Sequence, residues 1–303
     1  MRRRSMQVLS GLVVVLASLT ACDGGDGDGD GDGGDGKPSS ATSSTVTPTS
    51  PSPSTTAPAS TLKSIPVYYI AESQGSFKLY REFRNVPNTG GAVASAVSAM
   101  TRLAPRDPDY MTPWRPARRV SVSRNGSNLA VDLSGDAFSN TNVGSELAAT
   151  AVQQLVYTAT AAASQSGTPA TTVTITKDGK AADVWGTVRI GNAMTRAPRA
   201  DVQAQAWVTS PQEGDIRKAG QVTFTGFGTS FEATFGWVIR TRAGATVAQG
   251  SAMGGTGTGG FGSLSFRAQL VPGTYTVVLS TDDPSGGAAG HGPATDDKTF
   301  TVR

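Results

Sequence analysis

Forty residues, from Asp23 to Leu62, offer almost nothing apolar to bury, and they confine any packed core to residues 63–303. From Asp23 to Gly36 the chain repeats Gly and Asp; from Lys37 to Leu62 it is mostly Ser, Thr, Pro and Ala. Such segments do not recover the entropy lost on ordering, so composition predicts a disordered linker, extended by repulsion among its aspartates. At ~3.3 Å per residue it reaches about 130 Å fully stretched. Asp26-Gly27-Asp28-Gly29-Asp30-Gly31 matches the first half of an EF-hand loop, but Lys37 stands at the twelfth position, where a bidentate Glu is required. A solvated spacer is therefore predicted, not a calcium site.

Ahead of the linker, Arg2, Arg3 and Arg4 precede an apolar run centred on Leu12-Val13-Val14-Val15-Leu16, and small residues lead to Cys22. This is the order of an export signal. The stretch from Val8 to Ala21 is broken by Ser10 and Ser18 and falls short of the roughly 20 residues that cross a bilayer. Leu19-Thr20-Ala21-Cys22 resembles the bacterial lipobox, which implies cleavage before Cys22 and a diacylglyceryl thioether on it. Residues 1–21 are then the signal, Cys22 the lipidation site, and the outer face of the cell membrane the expected location. Acyl chains in that number suffice for stable anchoring. Cys22 is also the only cysteine, so no internal disulfide supports the folded regions.

The net charge of +3 loses Arg2, Arg3 and Arg4 with the signal, leaving a neutral mature chain. Residues 63–198 carry +5 and residues 199–303 are neutral. Neither has the basic excess of a nucleic-acid binder, and none is expected as a partner.

Within residues 63–198, Ile65 to Ile70 and Phe77 to Phe83 read as strands on either side of a turn at Gly75. Val93, Val97, Met100 and Ala104 recur at helical spacing up to Pro105. Val120 to Arg124 and Leu129 to Leu133 flank Asn125-Gly126, a hairpin signal. A long helix from about Ser145 to Ala163 carries Ala148, Val152, Leu155, Val156 and Ala159 on one face and is stopped by Gly167 and Pro169. Thr172 to Thr176 alternates as a strand, and a last strand is expected near Val184 to Ile190. The order predicts an α+β domain, a sheet with two packed helices.

The Val67-Tyr68-Tyr69 strand, Val131-Asp132-Leu133-Ser134 with Phe138, Gln153-Gln154-Leu155-Val156-Tyr157-Thr158, and Val173 through Asp178-Gly179-Lys180 together resemble the GerMN domain of bacterial spore-germination and sporulation lipoproteins. The family's usual Gly-Pro after the first helix is replaced by Leu103-Ala104-Pro105. The resemblance implies a non-catalytic interaction module, similar in fold to ring-building domains of secretion systems.

Residues 199–303 hold short alternating stretches at Ala206–Thr209, Val222–Phe227, Phe235–Arg240, Leu264–Leu270, Tyr275–Thr281 and Thr299–Val302, joined by Gly-rich connections, which predicts a β-sandwich. Ser210-Pro211-Gln212-Glu213-Gly214, Val222-Thr223-Phe224-Thr225-Gly226, Phe231-Glu232-Ala233, Gly273-Thr274-Tyr275 and Phe300-Thr301-Val302 resemble the immunoglobulin-like domain that accompanies GerMN domains.

The one histidine, His291, sits in a Gly-rich loop, a poor support for a general base. No Gly-x-Ser-x-Gly elbow or phosphate loop is present, and a histidine-based zinc site needs more ligands. Asp132, Ser134 and Asp136 are read as a turn or helix cap, and Glu232 as structural. No catalytic residue, cofactor or metal is expected. Arg115, Arg118, Arg119 and Arg124, with Arg102 and Arg106 near in sequence, form a candidate surface for an anionic partner. Trp114, Trp207 and Trp237 are the aromatics that could stack on sugars, with Trp207 and Trp237 favoured for the core. The expected function is a non-enzymatic envelope lipoprotein that binds envelope proteins or self-associates; a binder of cell-wall glycan or a small solute is the alternative.

Overall fold

The computed structural model describes residues 60–283, 288 and 290–303. The signal, Cys22, the Gly/Asp repeat and all but the last residues of the linker lie outside the described residues.

The first described element is a long antiparallel hairpin, β1 (Thr61–Ser73) and β2 (Ser76–Pro87). Its Gln74-Gly75 turn holds both residues at positive φ, the arrangement of a type I′ turn that matches strand twist. β1 begins inside the expected linker, with Thr61 opposite Pro87 and Leu62 opposite Val86. Helix α1 (Ala92–Arg102) follows and buries Val97 and Met100. It stops when Leu103 turns extended ahead of Pro105, so Ala104, expected on its apolar face, is instead exposed in a loop.

Strands β3 (Val120–Asn125) and β4 (Asn128–Leu133) pair around Gly126, whose φ of +58° favours glycine. After a 3-10 turn at Gly135–Phe138, α2 (Ser145–Gln165) leads to β5 (Thr172–Lys177), the small hairpin β6 (Ala182–Val184) and β7 (Val188–Ile190), and β8 (Ala193–Thr195). The sheet order is β3-β4-β5-β8, with β4 and β5 parallel. The single strand expected near Val184 to Ile190 is split because Trp185 and Gly186 both take positive φ.

The sheet of this domain is therefore in pieces, and α2 packs against both the β1–β2 hairpin and β5. That explains why α2 is buried nearly all round, including Gln154, Thr158 and Thr160, where sequence periodicity showed only one apolar face. The buried polar groups complete the exposed edge of β1: Gln154 Nε2 donates to the Tyr68 carbonyl at 2.8 Å, and the Tyr68 amide donates to Thr158 Oγ1 at 3.0 Å. Ile70 exchanges both backbone bonds with Met111. An otherwise open strand edge is thereby satisfied.

Helix α3 (Arg199–Val202) connects to a two-sheet β-sandwich of β9 (Ala206–Ser210), β10 (Ile216–Arg217), β11 (Gly220–Gly228), β12 (Thr234–Thr241), β13 (Thr246–Met253), β14 (Gly262–Leu270), β15 (Gly273–Thr281) and β16 (Thr295–Val302). One sheet runs β10-β16-β15-β12-β13 and the other β14-β11-β9. Phe224, Phe235 and Phe300 are buried between them, with Phe224 stacked on Phe266 at 4.9 Å. Gly228 is required where β9 crosses close: an added Cβ would fall 2.1 Å from the Gln205 carbonyl. β13 was not legible in sequence, because an exposed edge strand reading Thr-Val-Ala-Gln-Gly-Ser-Ala-Met has no buried face to impose alternation.

The described residues form one compact unit. Trp207, carried by β9, is fully buried in the hydrophobic cluster of the first domain.

Candidate functional site

Most of the arginines singled out in the sequence have partners in the structure. Arg118 Nε binds Asp136 at 3.0 Å, and Arg119 pairs with Asp132 and lies 3.6 Å from Asp178. Arg124 donates to the carbonyls of Gly126, Thr168 and Pro169. Arg106 reaches Asp215 at 2.8 Å, and Arg102 caps the Ala117 carbonyl. Arg115 is exposed. A hollow of about 460 Å³ between α1 and β3 brings Arg102, Arg118 and Arg119 together with Ser95, Ser98 and Val120.

Asp132 and Asp136 are locks for the loops around them. Asp132 Oδ1 accepts from Thr176 Oγ1 at 2.7 Å and from the Gly179 amide at 2.6 Å. Burial works against its charge, but these bonds and Arg119 outweigh it and hold its pKa below the ordinary carboxylate value. Ser134 donates to Asp136, and that bond, with the Arg118 amide and side chain, lowers Asp136 likewise. Ser134 makes no side-chain cap to the 3-10 turn it precedes; its Oγ donates to Asp136 and accepts the Arg119 amide at 3.0 Å, tying this turn to the Arg118-Arg119 segment.

Trp114 corrects the sequence reading of exposed aromatics. It is 2% exposed, meets Phe138 and Trp185 edge-on at 5.1 and 5.0 Å, and donates from Nε1 to the Ala151 carbonyl. Trp207 is buried, and Trp237 stacks on Phe266 at 4.4 Å. His291 is exposed; beside it Gly292 accepts a bond from Gln74 at the tip of the first hairpin. Glu232 is exposed at a φ of +50°.

The densest chemistry lies between the two domains, where sequence gave no warning. Lys298 of β16, 3% exposed, is 2.6 Å from Asp107 Oδ2, 2.8 Å from both oxygens of Asp296 and 2.7 Å from Tyr110 Oη. Tyr110 donates to Asp296 at 2.6 Å, and the remaining Asp296 oxygen accepts the Val208 amide at 2.7 Å. Burial opposes the Lys298 charge, but Asp296 and Asp107 outweigh it and hold its pKa above the usual 10.5. Burial, reinforced by the same carboxylates, pushes the Tyr110 phenol well above 10. Asp107 and Tyr110 arrive on the loop after α1. That loop is fixed by Glu82, which accepts from the amides of Arg106 and Asp107 and pairs with Arg84 at 2.8 Å. On the outer edge of β2, Gln212 exchanges two bonds with the backbone of Phe83.

Among the described residues no group of three or more His, Cys, Asp and Glu is arranged to hold a metal ion, and no helix is long and apolar enough to cross a membrane.

The architecture is thus a two-domain, mostly β protein whose domains share a buried polar seam. Residues 66–183 match the Germane family model, described as sporulation and spore germination, and residues 205–288 match the Gmad2 model, the immunoglobulin-like domain of bacterial spore germination. Both are non-catalytic domain families. No curated protein matches the sequence. Among solved structures, CopC from Methylosinus trichosporium OB3b is 22% identical over 32% of this chain and 92% of its own, with a TM-score of 0.24. An engineered protein is 12% identical over 51% and 36%, at 0.26. The Bifidobacterium dentium beta-glucuronidase complexed with coumarin-3-O-glucuronide is 20% identical over 34% and 19%, at 0.21. Likenesses this slight bear on neither fold nor activity.

Proposed function

We propose that the protein is a non-enzymatic lipoprotein of the cell envelope, anchored through Cys22 to the outer face of the membrane. Its two domains act there as one rigid module that assembles with other envelope proteins or with further copies of itself. The observation that carries this reading is the buried Lys298–Asp107–Asp296–Tyr110 network. It commits a buried lysine, two carboxylates and a phenol to joining two domains, whereas a catalytic acid or base must reach the proton it moves. The two sporulation- and germination-related domain families agree with an assembly role. The anchor rests on the Leu19-Thr20-Ala21-Cys22 resemblance.

Crosslinking in intact cells, followed by identification of captured chains, tests the assembly role. Wild-type protein is expected to capture envelope proteins or itself, and Cys22→Ala to lose both palmitate label and membrane retention. Labelled palmitate on the Cys22→Ala protein would sink the anchor. Retention on purified wall with no protein captured would replace assembly by the glycan alternative.

A further inference from the structure

Residues of both domains also wall a cleft of about 550 Å³. Arg81, Arg196 and Arg199 line it. Strand alternation sends Arg81 and Phe83 to the cleft side of β2, while Glu82 and Arg84 face the other way, where Glu82 is engaged by Arg84 and two amides. None of the three cleft arginines makes an ion pair among the described residues.

These guanidiniums are held in position nonetheless. Arg196 donates from Nε to Thr160 Oγ1 at 2.7 Å and lies over the Tyr157 ring at 4.6 Å. Arg81 and Arg199 lie 5.8 and 5.5 Å from the centre of the same ring, Phe227. The walls also hold buried polar atoms without partners: Arg81 Nε, Trp207 Nε1 and Gln203 Oε1. Burial lowers the Arg196 pKa against the opposing pull of the Tyr68 and Tyr157 phenols, and Arg199 and Arg81 add smaller pushes downward. Arg81 and Arg196 are partly buried like charges with no ion-pair partner among the described residues, a costly arrangement, and the guanidinium fork matches carboxylate and phosphate oxygens. The cleft runs on into a second hollow of about 450 Å³ that shares Arg81, Phe83 and Phe227.

We infer that this cleft is a binding site for an oxyanion, a carboxylate or phosphate borne on a flat apolar body, with the anion held by Arg196, Arg199 and Arg81 and the body set against the aromatic wall of Phe83 and Phe227. The inference goes beyond the assembly reading and does not depend on it.

Calorimetric titration of the full-length protein in detergent with phenyl phosphate, benzoate and phenol tests it. At least one anion is expected to bind saturably, more weakly as salt rises, while phenol does not. The tighter anion identifies phosphate or carboxylate as the natural group. Arg199 is exposed and its side chain makes no hydrogen bond among the described residues, so Arg199→Gln retains the fold; it is expected to weaken binding about tenfold. Arg196→Lys keeps the charge but loses the fork, and is expected to weaken it similarly. Saturation by neither anion, phenol binding as tightly, or unchanged binding in both variants overturns the assignment.

Discussion

Lys298 and Asp107 meet at 2.6 Å across 191 residues of sequence, one from the last strand and the other from the loop after the first helix. The pair is nearly inaccessible to water, and each partner is tied to further groups: Lys298 to Asp296 and Tyr110, and Asp107 through its amide to Glu82. The two domains are therefore expected to unfold together.

Lys298→Met leaves two buried carboxylates without their cation. The expected loss is about 3–5 kcal/mol, the usual result of removing one partner of a buried pair. Adding Asp107→Asn and Asp296→Asn removes the uncompensated charges and is expected to recover part of it. Chemical denaturation with separate probes for each domain checks both statements; Lys298→Met unfolding in one cooperative step at wild-type stability would refute the lock.

Alkaline pH attacks the same seam. Lys298 has its pKa above the usual 10.5 in the folded state, so its contribution is complete below 10.5 and is lost as pH rises through the higher folded value. The Tyr110 phenol acts in the same direction: above pH 10 the unfolded chain releases a proton that the folded protein retains. Thermal midpoints measured from neutral pH upward are expected to fall from about pH 10, and less steeply in Tyr110→Phe.

Gln154→Leu preserves side-chain volume but strips the Tyr68 carbonyl of its donor inside the core. A buried acceptor left unsatisfied costs about 1–3 kcal/mol. Amide exchange along β1 should accelerate around Tyr68, while exchange in β11 and β14 stays unchanged.

Trp114→Ala separates packing from sugar stacking. Removal of this buried ring from Phe138 and Trp185 is expected to destabilise the protein by about 3–5 kcal/mol. At temperatures where the variant remains folded, retention on purified wall should match wild type; a selective loss of retention would return Trp114 to a surface role.

What the sequence determined by itself is local. Helix α2 was legible from Ala148, Val152, Leu155 and Ala159, the β3–β4 hairpin from Asn125-Gly126, and most sandwich strands from alternation, because each signal lies among near neighbours subject to one burial gradient. The two domain resemblances followed from such runs in order. β13 escaped because both of its faces are largely wet. Gln154 and Thr158 looked like the polar face of α2, yet they complete the edge of β1, a role visible only once the hairpin is docked. Arg118 and Arg119 read as free charge until folding set Asp136 and Asp132 beside them. Tertiary structure alone decided the Lys298 network and the Arg81–Arg196–Arg199 cleft. Each gathers segments tens to hundreds of positions apart, and a charge in isolation carries no mark of its eventual partner. Whether it faces water, a carboxylate or an empty cleft is fixed by which surfaces the packed domains exclude from solvent.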